Sequence, residues 1–254
     1  NMSIAGETID YGPCAFMEAY DTATVYSSID HQGRYAYANQ PAAALWNLAR
    51  LAEALLPLVA DAADEASVRE AVERVTRALD DFQPTYAAER LRGQRQRLGL
   101  LSDAPSDDAD DAALAADWLA LMQAQAVDHT LGWRLLADAA VGRPQPLLAL
   151  FHEPRDAIVW LERWQTRCAR DDATRGTGPT ARAAHMKQAS PWIIARNHNV
   201  EHALSAATEK GDLQPFEQLL DALRHPWDEN AEHAVYAQPA TPEQAAGYRT
   251  YCGT

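Results

Sequence analysis

Hydrophobic residues recur every three or four positions through most of the chain beyond Pro41. One stripe runs through residues 45–59 and a second runs through residues 68–82. Because an α-helix completes one turn every 3.6 residues, this spacing places the apolar side chains on one face of each helix. The sequence therefore predicts a mainly α fold. The two stripes consist of Leu45, Leu48, Ala52, Leu55 and Val59, and of Val68, Val72, Val75, Leu79 and Phe82.

Local patterns predict where several of these helices begin and end. Ser67 followed by Glu70 forms a capping box, which predicts the start of the second helix. A third helix is predicted from Thr85 towards Leu98, and a loop that contains Gly and Pro is predicted from Asp171 to Thr180. The tryptophans at helical spacings are predicted to lie in the core. Further helices are predicted near residues 114–121, 131–135, 158–164, 192–210 and 213–224, followed by a mostly irregular tail.

The distribution of charge divides the chain and restricts its partners. Residues 1–41 are predicted to form an N-terminal unit, and residues 42–254 a helical lobe with an acidic linker near residues 102–111. The net charge of −14 argues against nucleic-acid binding, because phosphates are bound by clustered cations. The arginines between residues 90 and 97 are therefore expected to form a solvated face that pairs with acidic groups. No stretch is judged to approach the length of a transmembrane helix, so no membrane partner is predicted.

Asn1 and Asp10 face each other in a hairpin pattern that opens the chain. With residues 5–6 as a two-residue turn, Asn1 lies directly opposite Asp10, on the face that also carries Ser3 and Thr8. Side chains opposed in this way have Cβ atoms about 4.5–5.5 Å apart. An amide oxygen and a carboxylate at that separation suit a hard cation that keeps several waters, above all Mg²⁺. An ordinary hairpin with polar ends is the other interpretation of this pattern.

The first fifty residues carry a series of specific motifs. They are NMSI at 1–4, TIDYGP at 8–13, SIDHQGRY at 28–35 and WNLARLA at 46–52, with weaker echoes that include residues 252–254. The chain resembles, at these motifs, the selenoprotein O (YdiU) family of protein adenylyltransferases. The resemblance implies a pseudokinase fold, which is protein-kinase-like and α+β in the intact protein. This chain would be its mainly α C-terminal lobe, with a short β-hairpin at the N-terminus. It also implies Mg²⁺-dependent transfer of AMP from ATP to Ser, Thr or Tyr hydroxyls of proteins.

The resemblance assigns roles to two residues near the N-terminus of the chain. Asn1 and Asp10 are the implied ligands of Mg²⁺ or Mn²⁺, and Asp10 also contacts ATP through the metal. Residues 13–40 are the implied activation-type segment. The general base of the family precedes the metal-binding Asn, so no catalytic residue is assigned in this chain. The sequence is therefore interpreted as the C-terminal portion of a longer enzyme, and we expect it to be inactive alone.

Cysteine use allows a redox hypothesis. Three widely spaced cysteines suit a reducing compartment better than a disulfide scaffold. The selenium-containing members of the family that the chain resembles place selenocysteine near the C-terminus, which implies a possible redox role for Cys252 with Cys14 as its partner. The other interpretation is that both are ordinary unpaired thiols. Cys168 lies on a helical stripe and is predicted to be buried and inert.

The sequence patterns also allow three other functions. The run from His198 to His202 fits the H-x-x-E-H zinc pattern, with Glu201 as the base of a peptidase. A kinase-like phosphotransferase and a non-catalytic helical interaction module are the other two. The predicted location is the bacterial cytoplasm, or the mitochondrion if the source is eukaryotic.

Overall fold

The computed structural model describes residues 15–101, 104–245 and 248–250, together with Ser3 and Ala5. These residues are mainly α-helical, which confirms the predicted class. Within the same residues the backbone forms no strand, and one isolated antiparallel bridge joins Ala19 to Asp128. The predicted hairpin of residues 1–10 lies outside the described residues except for Ser3 and Ala5, so the hairpin and the kinase-like lobe stay predictions.

Thirteen α-helices lie within the described ranges, and they are numbered here in chain order. Two short 3₁₀ helices, Tyr37–Asn39 and Pro105–Asp107, lead directly into α1 and α4. The bounds are α1 Gln40–Val59, α2 Glu65–Asp80, α3 Phe82–Leu98, α4 Asp108–Ala124, α5 His129–Arg134, α6 Leu136–Ala140, α7 Gln145–Leu148, α8 Arg155–Arg175, α9 Pro179–Ala189, α10 Asn197–Lys210, α11 Gln214–Arg224, α12 Ala234–Ala237 and α13 Pro242–Ala245.

The two predicted stripes form α1 and α2, which pack against each other. The predicted capping box is wrong, because α2 begins before it. Asp64 is the N-cap, and its carboxylate accepts a hydrogen bond from the Ala66 backbone N–H at 3.0 Å. The Ser67 hydroxyl instead accepts from the backbone N–H of Asp61, at 2.9 Å. Ser67 therefore stabilises the turn between the two helices rather than the start of α2.

The statement that no stretch approaches the length of a transmembrane helix is wrong. The helical run Tyr37–Val59 has 23 residues and is apolar enough to cross a membrane by length and composition alone. None of its residues is buried, and Leu58 is 79% exposed. The run also carries an exposed ion pair, in which Arg50 lies 2.6 Å from Glu53. Only the described residues bear on this point, and a single helix of this kind is weak support for a membrane partner.

Three tryptophans form the centre of the hydrophobic core. The rings of Trp118 and Trp160 lie 4.5 Å apart, and those of Trp160 and Trp164 lie 6.0 Å apart. The two indole N–H groups on α8 each find a backbone acceptor: Trp160 donates to Leu114 and Trp164 donates to Leu98. These bonds tie α8 to α4 and to the end of α3, so these tryptophans are core residues as predicted. Of the others, Trp133 is buried, Trp192 is partly buried, and Trp46 and Trp227 are half exposed.

Gly99 ends α3 in a left-handed conformation, with φ at 68°. A Cβ at this position would lie 2.6 Å from Cγ of Arg182 and 2.7 Å from Sδ of Met186, both on α9. Only glycine therefore allows α9 to pack this closely against the end of α3. This packing places Arg97, in the last turn of α3, beside the site described below.

A buried ionic cluster joins α3, α4 and α8. Asp111 is fully buried, and its carboxylate accepts from Nε of Arg95 and Nε of Arg167, each at 2.7 Å. Asp107 accepts from Arg167 and Arg170, each at 3.0 Å. The acidic residues near position 108 thus begin α4 and bind arginines. The prediction that Arg95 is solvated is wrong, because its side chain is buried against Asp111. The division of the chain into domains stays a prediction.

Two predicted irregular regions contain more helix than expected. The prediction of a loop from Asp171 to Thr180 is wrong, because α8 continues to Arg175 and α9 begins at Pro179. Gly176 ends α8 with φ at 65°, which leaves only a short connection. The C-terminal tail is mostly irregular, as predicted, but includes the four-residue helices α12 and α13.

Candidate functional site

The four residues with predicted metal or redox roles lie outside the described residues. They are Asn1, Asp10, Cys14 and Cys252. The described chain continues at Ala15, immediately after Cys14. Residues 15–36, here called the docked segment, carry no helix and lie against α5, α10 and residues 248–250. This segment lies within the predicted activation-type segment of residues 13–40, and its contacts define the candidate site.

Backbone hydrogen bonds hold the docked segment against the start of α5. The N–H of Tyr20 donates to the carbonyl of Val127 at 2.9 Å, and the N–H of His129 donates to the carbonyl of Glu18 at 2.7 Å. The isolated bridge between Ala19 and Asp128 lies between these two bonds. The segment therefore adds a short extended pairing to a helix N-terminus. No periodicity in the sequence predicts this contact, because the two partners are more than a hundred residues apart.

Asn197, the first residue of α10, fixes the beginning of the docked segment. Its side-chain amide accepts from the Phe16 N–H at 2.8 Å and donates to the Phe16 carbonyl at 2.9 Å. Both backbone polar groups of Phe16 are thus satisfied by one side chain that is 181 positions away. Asn197 belongs to one of the weaker family echoes in the sequence, but the pattern of residues gives no indication of its partner.

A buried ion triad lies beneath the segment. Arg196 is fully buried, and its guanidinium donates to both oxygens of Asp128, at 2.7 and 3.2 Å, and to Oε2 of Glu18. Burial raises the pKa of Glu18 above its usual value, and the positive charge of Arg196 opposes that rise. Asp128 is also the N-cap of α5, since it accepts from the Leu131 N–H at 2.7 Å. The triad therefore connects the docked segment, the start of α5 and the start of α10.

His198 extends this polar cluster. Its Nδ1 atom lies 3.9 Å from Oε1 of Glu18, and neither atom has a hydrogen-bond partner among the described residues. Burial, and then the charge of Arg196, lower the pKa of His198. The imidazole is therefore neutral at pH 7, and it places an unused nitrogen beside an unused carboxylate oxygen.

The H-x-x-E-H run lies in the first turns of α10. His198 points towards Glu18, whereas Glu201 and His202 are exposed. In the part of the chain that the structure describes, no three His, Cys, Asp or Glu side chains gather closely enough to hold a metal ion. A third ligand for the His198–His202 pair is therefore absent from those residues.

The C-terminal segment, residues 248–250, is bound to the docked segment. The Thr250 carbonyl accepts from the N–H of Ser28 at 2.8 Å and from its hydroxyl at 2.5 Å. The Thr250 hydroxyl donates to the Tyr26 carbonyl at 2.6 Å. Three hydrogen bonds thus join positions more than two hundred residues apart in sequence. The path of the chain after residue 250 lies outside the described residues.

Two cavities open on either side of the docked segment, and both are lined by residues 15–17 and Tyr26. The smaller, of about 340 Å³, lies between the docked segment and the C-terminal segment and is bordered by Glu18 and His198. The larger, of about 610 Å³, lies between the docked segment and the ends of α3 and α5. Its distinctive polar groups are Arg97 and His129.

His129 is held neutral at the wall of the larger cavity. Burial lowers its pKa to about 4, and the nearby charge of Arg97 acts in the same direction. The indole N–H of Trp133 lies 3.2 Å from Nε2 of His129 and donates to it, which assigns the proton of the neutral ring to Nδ1. The imidazole also stacks on Tyr20, with ring centroids 5.4 Å apart. His129 is therefore a fixed neutral side chain between two aromatic rings.

Cys168 is buried on α8, as predicted. Burial raises the pKa of its thiol to about 12, so the reactive thiolate is negligible at neutral pH. It faces neither of the two cavities. A redox role for this chain therefore depends on Cys14 and Cys252.

Comparison with known proteins places the chain in a family of nucleotide-transferring enzymes. A model of the family described as "Protein adenylyltransferase SelO" matches residues 1–224. A curated protein of Chromobacterium violaceum, named "Protein nucleotidyltransferase YdiU", is 50% identical over 254 residues, which are 100% of this chain and 51% of the relative. Proteins of the same name from Rhizobium etli and Cereibacter sphaeroides are 45% and 47% identical, over all of this chain and 48% of each relative.

The match over most of the chain shows that the protein belongs to the SelO family. The resemblance noted at the N-terminal motifs is therefore confirmed. The chain spans about half the length of the curated relatives that it matches.

Proposed function

We propose that the protein is a Mg²⁺-dependent protein adenylyltransferase, which transfers AMP from ATP to Ser, Thr or Tyr hydroxyls of other proteins. The single observation that carries the proposal is the family match over residues 1–224, which includes the Asn1 and Asp10 motifs. Names of relatives support the broader class, nucleotidyltransferase. Since those relatives are bacterial, the proposed location is the bacterial cytoplasm.

The donor set at the N-terminus of the chain fits the proposed metal. Asn1 supplies an amide oxygen and Asp10 a carboxylate, and hard oxygen ligands of this kind are those that Mg²⁺ and Mn²⁺ accept. When bound, the ion neutralises the charge of the triphosphate. Asp10 also holds ATP by this route, and Tyr11 and Gly12 form the turn after it. The general base is proposed to lie outside this chain.

The proposed reaction is a substitution at the α-phosphorus of ATP. The acceptor hydroxyl oxygen forms a bond to that phosphorus while the bond to the bridging oxygen breaks. Pyrophosphate leaves, and the hydroxyl proton passes to the base. Positioning and charge neutralisation carry most of the rate in such transfers.

The contacts of the docked segment support a positioning role for it. The segment begins at Ala15, five positions after Asp10 in the sequence. Its beginning is held by Asn197, and Glu18 is bound by the buried Arg196. These two attachments give the first residues of the segment a defined path. We propose that residues 13–40 act as the activation-type segment, which orients the acceptor protein.

The test uses the full-length protein, ATP labelled at either phosphate, and protein acceptors from the same cell extract. Label transferred from the α-phosphate and absent with γ-labelled ATP supports the proposal. Transfer from the γ-phosphate alone refutes it and favours the phosphotransferase. Asp10→Ala is expected to abolish labelling, because one metal ligand is lost and the phosphates are no longer neutralised.

A matched control separates the proposed enzyme from the zinc peptidase. Glu201→Gln changes an exposed residue of α10 and is expected to leave AMP transfer unchanged. For the peptidase, Glu201→Gln would remove the base and abolish peptide hydrolysis, while Asp10→Ala would not. Labelling that survives Asp10→Ala in a folded protein contradicts the assigned metal ligand.

A redox role for Cys14 and Cys252 is the second part of the proposal. Ala15 and Thr250, which are close in sequence to these cysteines, line the same cavity of about 340 Å³. This proximity supports a linkage that would fix the docked segment to the C-terminus. Formation of the disulfide requires a two-electron oxidant of the hydroperoxide or disulfide class, and releases two protons from the thiols.

A further inference from the structure

Buried arginines in this protein are neutralised by carboxylates. Each of the five with little exposed surface makes at least one ion pair within the described residues. The protein is strongly acidic, so carboxylates are abundant near most cations. The five arginines are Arg95, Arg134, Arg167, Arg182 and Arg196, and their partners include Asp111, Glu229, Asp107, Asp172 and Asp128.

Arg97 differs from them. It is partly buried at the end of α3, yet none of the described residues forms an ion pair or a hydrogen bond with its guanidinium. Its close contact is the face of the Trp133 ring, with the guanidinium carbon 5.6 Å from the ring centroid. Burial lowers the pKa of Arg97, and its interaction with Tyr37 acts in the opposite direction. A cation is thus held in a partly dry position, and none of the described residues supplies an anion to it.

The surroundings of Arg97 form the larger cavity. Its volume of about 610 Å³ lies within the range of small-molecule sites. Phe16, Tyr26, Tyr37 and Trp133 contribute aromatic walls. The neutral His129 adds no charge there at pH 7. The cavity therefore combines a positive charge that no described carboxylate neutralises with several flat apolar surfaces.

We propose that this cavity binds an oxyanion, phosphate or carboxylate, carried on a small aromatic group. A guanidinium presents its N–H donors as a planar fork that matches both kinds of oxyanion. The aromatic walls suit a flat ring, which can stack or pack edge-on against them. The proposal goes beyond AMP transfer, since it needs neither the metal ligands nor ATP.

The experiment measures binding of simple probes to the protein in buffer without Mg²⁺ or nucleotide. Phenyl phosphate and benzoate test the two oxyanions, benzyl alcohol tests the ring alone, and inorganic phosphate tests the charge alone. Phenyl phosphate or benzoate is expected to bind more tightly than benzyl alcohol and inorganic phosphate. Which of the two binds more tightly identifies the preferred oxyanion.

Variants assign the binding to Arg97. Arg97→Gln is expected to weaken binding by about 10- to 100-fold, because a charge-assisted hydrogen bond is lost. Arg97→Lys keeps the charge but loses the fork, so an intermediate loss is expected. Arg90→Gln is the matched control, because Arg90 is an exposed arginine on the same helix, and it should bind as the parent does.

A measurement on the unaltered protein covers the case in which a variant does not fold. The indole N–H of Trp133 lies beside both Arg97 and His129, so its NMR resonance should shift saturably as phenyl phosphate or benzoate is added. Binding no tighter than that of benzyl alcohol, an unmoved Trp133 resonance, or equal affinity in folded Arg97→Gln overturns the proposal. Because no transfer is assayed, these outcomes are independent of the adenylyltransferase test.

Discussion

Replacing Arg196 by Met tests whether the buried ion triad holds the docked segment. The substitution keeps much of the side-chain volume and removes the charge, which leaves the Asp128 and Glu18 carboxylates without their shared partner. Their side chains are 7% and 24% exposed, so water can replace the guanidinium only in part. Breaking a buried pair by removal of one partner costs about 3–5 kcal/mol.

For a domain of this size a loss of that magnitude lowers the melting temperature by roughly 6–20 °C. Thermal and urea unfolding of parent and variant give the two values to compare. The matched control is Arg163→Met, which removes an exposed pair with Asp117 on the outer faces of α8 and α4. Exposed pairs contribute about 0–1 kcal/mol. A loss for Arg196→Met no larger than that of the control would refute the role given to the triad.

Glu18→Gln gives an independent test of the same cluster, through the pH dependence of stability. Burial raises the folded-state pKa of Glu18 above its usual value of 4.5, so this carboxyl binds a proton more readily in the folded than in the unfolded protein. Its contribution to stability is therefore fully present below pH 4.5 and is lost as the pH rises through the raised pKa. The amide is neutral at every pH, so Glu18→Gln should remove this part of the pH dependence. It should also destabilise the protein less than Arg196→Met does; an equal loss at pH 7 would contradict the argument.

Three further predictions concern other parts of the structure. The pKa of His129 is about 4, so the free energy of unfolding should fall by about 3 kcal/mol as the pH drops from 6.5 towards 4. His129→Gln should remove that dependence in unfolding experiments, whereas the exposed control His225→Gln should not. Gly99→Ala should cost about 2–5 kcal/mol in urea unfolding, from the left-handed backbone and the close approach of α9. Mild peroxide should link Cys14 to Cys252, as detected by peptide mapping, and dithiothreitol should reverse the linkage.

Gly142, Cys168 and His129 provide the controls and the contrary outcomes for these three predictions. Gly142 also has a positive φ, of 81°, but nothing lies within 4 Å of its Cβ position, so Gly142→Ala should show only the backbone cost, of about 1–2 kcal/mol. Equal losses for the two glycine variants would disprove the packing argument. Cys168 should resist oxidation because it is buried. If Cys14 and Cys252 both remain alkylatable after peroxide, the redox hypothesis is wrong. An unchanged pH profile in His129→Gln would contradict the depressed pKa.

Helical periodicity predicted most of the fold because it is a property of neighbouring residues. The stripe from Leu45 to Val59 became α1, and Trp118, Trp160 and Trp164 became the centre of the core. The errors lie at helix ends, where one local interaction competes with another. Asp64 caps α2 in place of the predicted Ser67, because several residues in that turn can accept a backbone hydrogen bond.

The candidate site was predicted only in part, because the partners of its side chains are distant in sequence. The N-terminal motifs indicated the family, and the comparisons confirmed it. Arg95 was expected to be solvated because a run of arginines in an acidic protein is usually exposed, yet Asp111 draws it into the core. Arg97, two positions later, has no such partner in the part of the chain that the structure describes. Sequence alone does not distinguish these two arginines.

The sequence by itself determined the helical class, the family and the chemistry of the proposed metal ligands, since these depend on short patterns and on residue type. Only the tertiary structure decided which distant groups meet. Glu18 pairs with Arg196, 178 positions away, and Ser28 binds Thr250, 222 positions away. Such pairs form because helix packing removes charged and polar groups from water, and each group is then stable only where a complementary partner lies within hydrogen-bond distance.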